Sequence, residues 1–285
     1  MRVLVTGSSG KVGSIVTRAL RAQHEVLGVD ANAGAETDVL ADIRDEAAIA
    51  HSLVGQDAIV HLAALHAPHR DQGASEADFV AINVEATEQL LRLARAAGVR
   101  RFVLASTTSV YGDAFEDSER AVWVTESLNP QPRDIYDETK LAAEALCADA
   151  FAADFVTSAL RFSRCFVEPA REMALYRLYR GVAASDVAQA FARALAAEPA
   201  GFEVFNISAA TPFRREDCAV LKSDAATALK VRVPGIDADF AAQGWTLPAT
   251  IDRVYVIEKA TAMLGYRPQQ DYWEFMAEVK SKTKP

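Results

Sequence analysis

Cysteine is scarce: Cys147, Cys165 and Cys218 are the only three in 285 residues, and no two share a C-x-x-C spacing. An odd, scattered set excludes a zinc ribbon and a disulfide-stapled scaffold, suits a reducing compartment, and reads as three buried thiols. No apolar run approaches the length of a membrane span. Long Lys/Arg runs are also missing and the formal net charge is −9, which argues against a phosphate-backbone partner. Neither nucleic acid nor membrane is therefore expected as a partner. There is no internal repeat and no low-complexity linker. The chain opens "MRVLVTG", already strand-like, leaving no room for a signal peptide before the fold begins, so the cytoplasm is the expected location.

What is present is an ordinary globular composition, 51% hydrophobic and 24% charged. Short apolar runs ("RVLVTG", "EVLGVD", "DAIVHLAA", "RFVLAS") alternate with amphipathic stretches ("KVGSIVTRALRA", "EAAIAHSL", "FVAINVEATEQLLRLARAAG"). Buried parallel strands read as continuous Val/Ile/Leu runs, and right-handed crossovers place helices between them. The pattern predicts an α/β fold, a Rossmann-like doubly wound parallel sheet. A helix over roughly 134–153 leads into a sixth strand, "FVTSALRF". Residues 1–165 form the expected dinucleotide-binding domain. Residues 166–285 form a mixed region of short substrate-binding segments, with a helix and strand at about 183–208 returning to the main sheet. Residues 209–250 read as short turns with Pro/Gly breaks.

Directly after the first strand stands "TGSSGKVGSIV", a T-G-x-x-G-x-x-G loop with Gly7, Gly10 and Gly13. Gly7 permits a tight turn, Gly10 lets the backbone approach a pyrophosphate, and Gly13 lets the next helix pack closely. Asp30 ends the second strand, where a ribose hydroxyl needs a carboxylate. No Arg or Lys follows within "ANAGAETD" to offset repulsion of a 2′-phosphate, so NAD is expected over NADP. Asp42 ends what reads as the next strand and is placed to accept from an adenine amino group; the alternative is that Asp42 or Asp45 caps the following helix.

In "YDETK" Tyr136 and Lys140 stand four apart, about one helical turn, so phenol and ammonium share a face. A cation there favours the phenolate and moves the phenol toward general-base use.

With these motifs the chain resembles the extended short-chain dehydrogenase/reductase family, NAD-dependent sugar epimerases, dehydratases and dehydrogenases. The matching segments run in order: the glycine loop, "HLAA" (61–64), "NVEATEQLL" (83–91), "STTSVYG" (106–112), "YDETK", "LRF" (160–162), "SDVAQAFARAL" (185–195), "FNIS" (205–208) and "EKATAMLGYRP" (258–268). The resemblance implies that Tyr136 is the acid/base, Lys140 holds the nicotinamide ribose, and Thr107 hydrogen-bonds the reacting oxygen. It assigns Ser9, Lys11, Val12, Ile43, Leu62, Ala63, Ala64 and Asn83 to the cofactor beside the glycines, Asp30 and Asp42. The helices at 77–97 and 134–153 would make the four-helix contact of a homodimer.

Dehydratases of this family carry Asp-Glu after the catalytic Ser/Thr, and here Thr108 and Ser109 stand there. Nucleotide-sugar enzymes usually show R-x-x-N followed by G-P after the sixth strand. This chain has "LRFSRCFVEP", with Arg164 in place of the Asn, and only "AREMALYRLYRGVAAS" before the next motif. The shortened form is similar to uronate dehydrogenases, in which an Arg pairs with the substrate carboxylate, although those carry Asn-His after the catalytic Ser. The expected function is an NAD-dependent sugar or sugar-acid dehydrogenase. A nucleotide-sugar 4-epimerase is the alternative and a non-catalytic NAD sensor the third. Candidate substrate residues are His66, Thr108, Arg164 and Arg177, the last preferred over Arg171 and Arg180 as the carboxylate clamp. His66 and His69 have i, i+3 spacing, but no third ligand converges on them and no metal is expected.

Overall fold

A computed structural model describes residues 1–116 and 118–282. The first half alternates as the apolar runs predict: β1 (Arg2–Thr6), α1 (Lys11–Arg21), β2 (Glu25–Asp30), β3 (Val39–Leu40), α2 (Glu46–Ser52), β4 (Ala58–His61), α3 (Ala67–Asp71), α4 (Glu76–Val80), α5 (Ala86–Ala96) and β5 (Arg101–Thr107). There follow β6 (Val122–Val124), α6 (Ile135–Ala150), β7 (Val156–Phe162), α7 (Ala170–Tyr179), α8 (Ala184–Ala196) and β8 (Glu203–Ile207). The chain closes with α9 (Cys218–Ser223), α10 (Ala225–Arg232), α11 (Ile236–Ala242), β9 (Arg253–Tyr255), α12 (Glu258–Leu264) and α13 (Tyr272–Lys282).

Seven strands form one sheet in the order β3-β2-β1-β4-β5-β7-β8, and every pairing in it is parallel. The order reverses between β1 and β4, so a crevice opens beyond their carboxyl ends, where doubly wound sheets bind ligands. Two apolar layers cover the faces. One sets α1 and α8 against Val3, Val5, Val60 and Phe205; the other sets α5 and α6 against Leu4, Ile59, Phe102 and Leu104. As expected, α8 and β8 return to the main sheet. Among the described residues no helix is long and apolar enough to cross a membrane.

Two sequence expectations change, and one strand pairing is new. Residues 209–250 are not mainly turns: α9, α10 and α11 close on a third core with Leu175, Leu178, Leu221, Leu229, Phe240 and Met276. Each has at most eight residues, too short for its own periodicity to show, and is stabilised by packing. The stretch read as one helix over 77–97 contains a π-helical turn at Ala81–Glu85, a feature frequent at functional sites. Finally, β6 pairs in parallel with β9 in a separate two-stranded sheet far apart in sequence, which no local pattern announces.

Candidate active site

The glycine loop is built by close approach. Gly7 has φ +76°, and a Cβ there would lie 2.6 Å from the Ala63 nitrogen. At Gly13 a Cβ would come within 1.9 Å of the Gly7 carbonyl oxygen, so the glycine lets α1 start against the turn itself rather than against the strand. Gly13→Ala should therefore push α1 away from the turn, lowering stability by about 1–3 kcal/mol, with loss of NAD affinity; a thermal melt and a cofactor titration check both. The Ser9 N–H donates to Asp30 Oδ2 (3.0 Å) and the Asn32 N–H to Oδ1 (2.8 Å), fixing the carboxylate at the loop. Ser8 and Thr37 join through their hydroxyls (2.9 Å), folding the 31–38 segment back. The basic residues nearby are engaged: Arg18 with Glu36, and Arg21 with Glu36 and Asp38.

Several assigned cofactor residues turn out to hold the crevice in shape. Asp42 lies beyond the short β3 and its two oxygens are held by Arg44 at 2.9 and 2.6 Å, which keeps its carboxyl below the usual range. An adenine amino group would have to share them. Asp45 is the helix cap, accepting from the Ala48 N–H (3.0 Å). The Ile43 side chain is buried in the core. Val12 and Leu62 pack on one face of the sheet and Ala63 on the other, while Ala64 stays half-buried and Lys11 exposed. Asn83, within the π-helical turn, is fully engaged: its Oδ1 accepts from the Leu65 N–H (2.8 Å), and its Nδ2 donates to Leu65 O (3.0 Å) and Thr139 Oγ1 (3.0 Å). It clips the loop after β4 to α6. His61 does the same for β1 and α5, bridging Thr6 (2.7 Å) and Thr87 (2.9 Å), and burial with the nearby Lys140 charge lowers its pKa to about 3, keeping it neutral.

Strand register and helix spacing bring the reactive groups together. Thr107 ends β5, paired with Phe162 of β7, and its Oγ1 accepts from the Ser109 N–H (3.0 Å) at the start of a tight turn. Asp134 caps α6 by accepting from the Asp137 N–H (3.0 Å), placing Tyr136 in the first turn and Lys140 one turn on. The Thr107 side chain lies near the Tyr136 phenol and favours its ionised form. The expectation for the phenol's acidity is corrected. Burial pushes it up to about 12, Thr107 opposes this, and the charges of Asp137 and Asp134 add to it. Burial lowers Lys140 to about 8, with Glu144 and Cys147 opposing, and its charge acts on His61 and Cys147.

The substrate candidates divide. Arg164 and His66 meet at the rim, linked through Phe166: the Arg164 guanidinium lies 5.3 Å from the Phe166 ring centre and 5.9 Å from that of Tyr176, and the His66 ring lies 6.2 Å from Phe166. Arg164 is held by Glu168. His66 Nδ1 is buried without a partner among the described residues, and burial, His69 and Lys11 lower its pKa. Thr108, by contrast, is buried in the turn at 5% exposure. Arg177 is also withdrawn. Only 9% exposed, it faces Cys165, Asp186, Tyr266 and Glu278 and leaves Nη1 without a partner among the described residues. No group of three or more His, Cys, Asp and Glu side chains among the described residues is arranged to hold a metal ion.

Four residues escaped the sequence reading. Asp137, fully buried, lies beside Ser109 and leaves Oδ1 unpartnered among the described residues. Ser106, Glu144 and Arg161 form a buried cluster under Lys140, which the i, i+4 spacing of Lys140 and Glu144 alone hinted at.

The chain is similar to several known proteins. An uncharacterized UDP-glucose epimerase of Bacillus subtilis is 32% identical over 166 residues, 52% of this chain and 51% of that protein. An L-arabinose 1-dehydrogenase (NAD(P)(+)) of Haloferax volcanii is 34% identical over 157 residues, 51% of this chain and 59% of that one. The match thus spans little more than half the length of either. A solved short-chain dehydrogenase/reductase superfamily protein of Agrobacterium tumefaciens with bound NAD superposes with a TM-score of 0.72 at 24% identity, covering 99% of this chain and 96% of that one. The model of the NAD dependent epimerase/dehydratase family matches residues 3–168, more than half of the chain, and the chain belongs to that family.

Proposed function

We propose that this protein is an NAD-dependent dehydrogenase oxidising a hydroxyl of a free sugar or sugar acid. The carrying observation is Thr107 at the end of β5 near the Tyr136 phenol, with Lys140 one helical turn along α6, and Thr108 and Ser109 where an eliminating enzyme needs carboxylates. NAD, when bound, supplies the acceptor for the substrate's hydride. Tyr136, once its own proton has left in the reacting complex, takes the hydroxyl proton, Thr107 orients the reacting oxygen, and Lys140 holds the nicotinamide ribose. The backbone from Gly7 to Gly13 fits the pyrophosphate because no side chain fills the cradle. Asp30 takes the adenosine ribose.

With Asp30 at the 2′ position, and Arg18 and Arg21 paired elsewhere, NAD should bind roughly tenfold tighter than NADP, about 1.4 kcal/mol. Asp30→Ala should narrow the gap; equal affinities of the wild type in a titration would remove the argument.

The short run from Pro169 through the ten residues of α7 to α8 favours a small substrate, which His66 and Arg164 meet at the rim. One observation favours a second reading: α9, α10 and α11 pack against α7 and α13 and supply cover that a nucleotide sugar would use, as in a 4-epimerase. Incubation with NAD and a panel of uronates, aldoses and nucleotide sugars, followed by NADH absorbance, separates them. NADH accumulating with a free sugar supports the dehydrogenase; a nucleotide sugar converted without net NADH supports the epimerase. The outward faces of α5 and α6 are the proposed homodimer contact, which sedimentation measures.

A further inference from the structure

Glu144 is buried one helical turn beyond Lys140 and two beyond Tyr136, on the same face of α6. Arg161 of β7 grips it with both arms of its fork, Nε to Oε1 at 2.9 Å and Nη2 to Oε2 at 2.6 Å, and the Ser106 hydroxyl donates to Oε1. Ser106 immediately precedes Thr107 and is the register partner of Arg161. Arg161 itself lies 5.0 Å from the Tyr111 ring centre, and the Tyr111 hydroxyl donates to Asn206 Oδ1 (2.8 Å) on β8. One buried cluster therefore ties three strands to the helix that carries Tyr136 and Lys140.

Lys140 has no ion-pair partner of its own among the described residues. Its helix presents Tyr136, Glu144 and Cys147 to it, β4 presents His61, β7 carries Arg161, and the π-helical turn with α5 brings the uncharged Asn83 and Thr87. His61 is neutral and burial keeps the Cys147 thiol protonated. That leaves Glu144 as the anion facing Lys140, and Glu144 is shared with Arg161.

We infer that Glu144 is a positioning residue that keeps Lys140 charged and aimed at the cofactor crevice, and that Arg161 sets how much of its charge Lys140 receives. A buried ammonium without a compensating anion gives up its proton more readily. The cluster would thus set the pH at which Lys140 stops working, an effect that rests on the proposed role of Lys140 at the nicotinamide ribose.

The test reads Lys140 directly, by NMR of protein labelled at lysine Cε, with its signal assigned by its loss in Lys140→Met. Wild type should titrate near pH 8. Glu144→Gln should lower the midpoint by about one pH unit or more, Arg161→Gln should raise it, and Glu144→Asp should restore it toward wild type. Opposite shifts in the two glutamine variants support the inference, because simple loss of packing would not move them apart. An unchanged midpoint in Glu144→Gln, or shifts of the same sign, overturns it. Should Glu144→Gln not fold, Arg161→Gln decides by its sign. NAD affinity measured over the same pH range keeps the two readings separate: midpoints that move as stated while NAD affinity ignores them sink the cofactor role of Lys140 and leave this electrostatic inference standing.

Discussion

Tyr136→Phe should lower turnover by roughly a hundredfold or more, about 2.7 kcal/mol of barrier, while NAD affinity stays close to wild type. The substitution keeps the ring and removes only the hydroxyl that Thr107 lies near. Because burial already holds the phenol near 12, the free protein carries it protonated at neutral pH. For oxidation of an alcohol the phenol must therefore first lose its proton to solvent in the reacting complex, after which its oxygen accepts the substrate's hydroxyl proton; an enzyme without that oxygen has no acceptor in its place. Lys140→Ala should differ in kind, weakening NAD binding as well as turnover, and a kcat-against-KM comparison separates the two. A Tyr136→Phe enzyme with wild-type turnover would mean that the residue is simply part of a helix.

Arg164→Lys should raise the apparent Michaelis constant for a uronate roughly tenfold or more and leave a neutral aldose nearly unaffected, since charge-assisted hydrogen bonds are worth about 1.5–3 kcal/mol each. Arg164 leaves the sheet two residues after Phe162, the register partner of Thr107, so its start lies close to the reacting oxygen. Its fork is held by Glu168 at rest. A substrate carboxylate would compete with that side chain, and Glu168→Gln should therefore lower the Michaelis constant for the acid. Equal effects on acid and neutral sugars would remove Arg164 from the substrate.

The placement of the candidate site residues was legible because each lies in a short local motif whose spacing fixes its geometry: Gly7, Gly10 and Gly13 in one turn, Thr107 at a strand end, Tyr136 and Lys140 one helical turn apart. The parallel sheet was legible for a related reason, since strands buried on both faces leave continuous apolar runs. What stayed hidden is non-local. Glu144 finds Arg161 only when α6 folds over β7, Asn83 reaches Thr139 across 56 positions, and β6 pairs with β9 across more than a hundred. The burial of Arg177 was not legible either, because only the fold turns α7 so that it faces Asp186, Tyr266 and Glu278. The Arg44 side chain folded onto Asp42 was not read from the sequence either.

The most direct measurement follows the transferred hydrogen. A free uronate or aldose carrying deuterium on the carbinol carbon is incubated with the protein and NAD, and both products are analysed by mass spectrometry. The dehydrogenase account predicts deuterated NADH in amounts equal to the sugar oxidised, with a slower initial rate for the labelled sugar wherever hydrogen transfer limits turnover, and transfer largely abolished in Tyr136→Phe. No deuterium in NADH from any free sugar, together with a nucleotide sugar that inverts a centre while keeping its label, would contradict it.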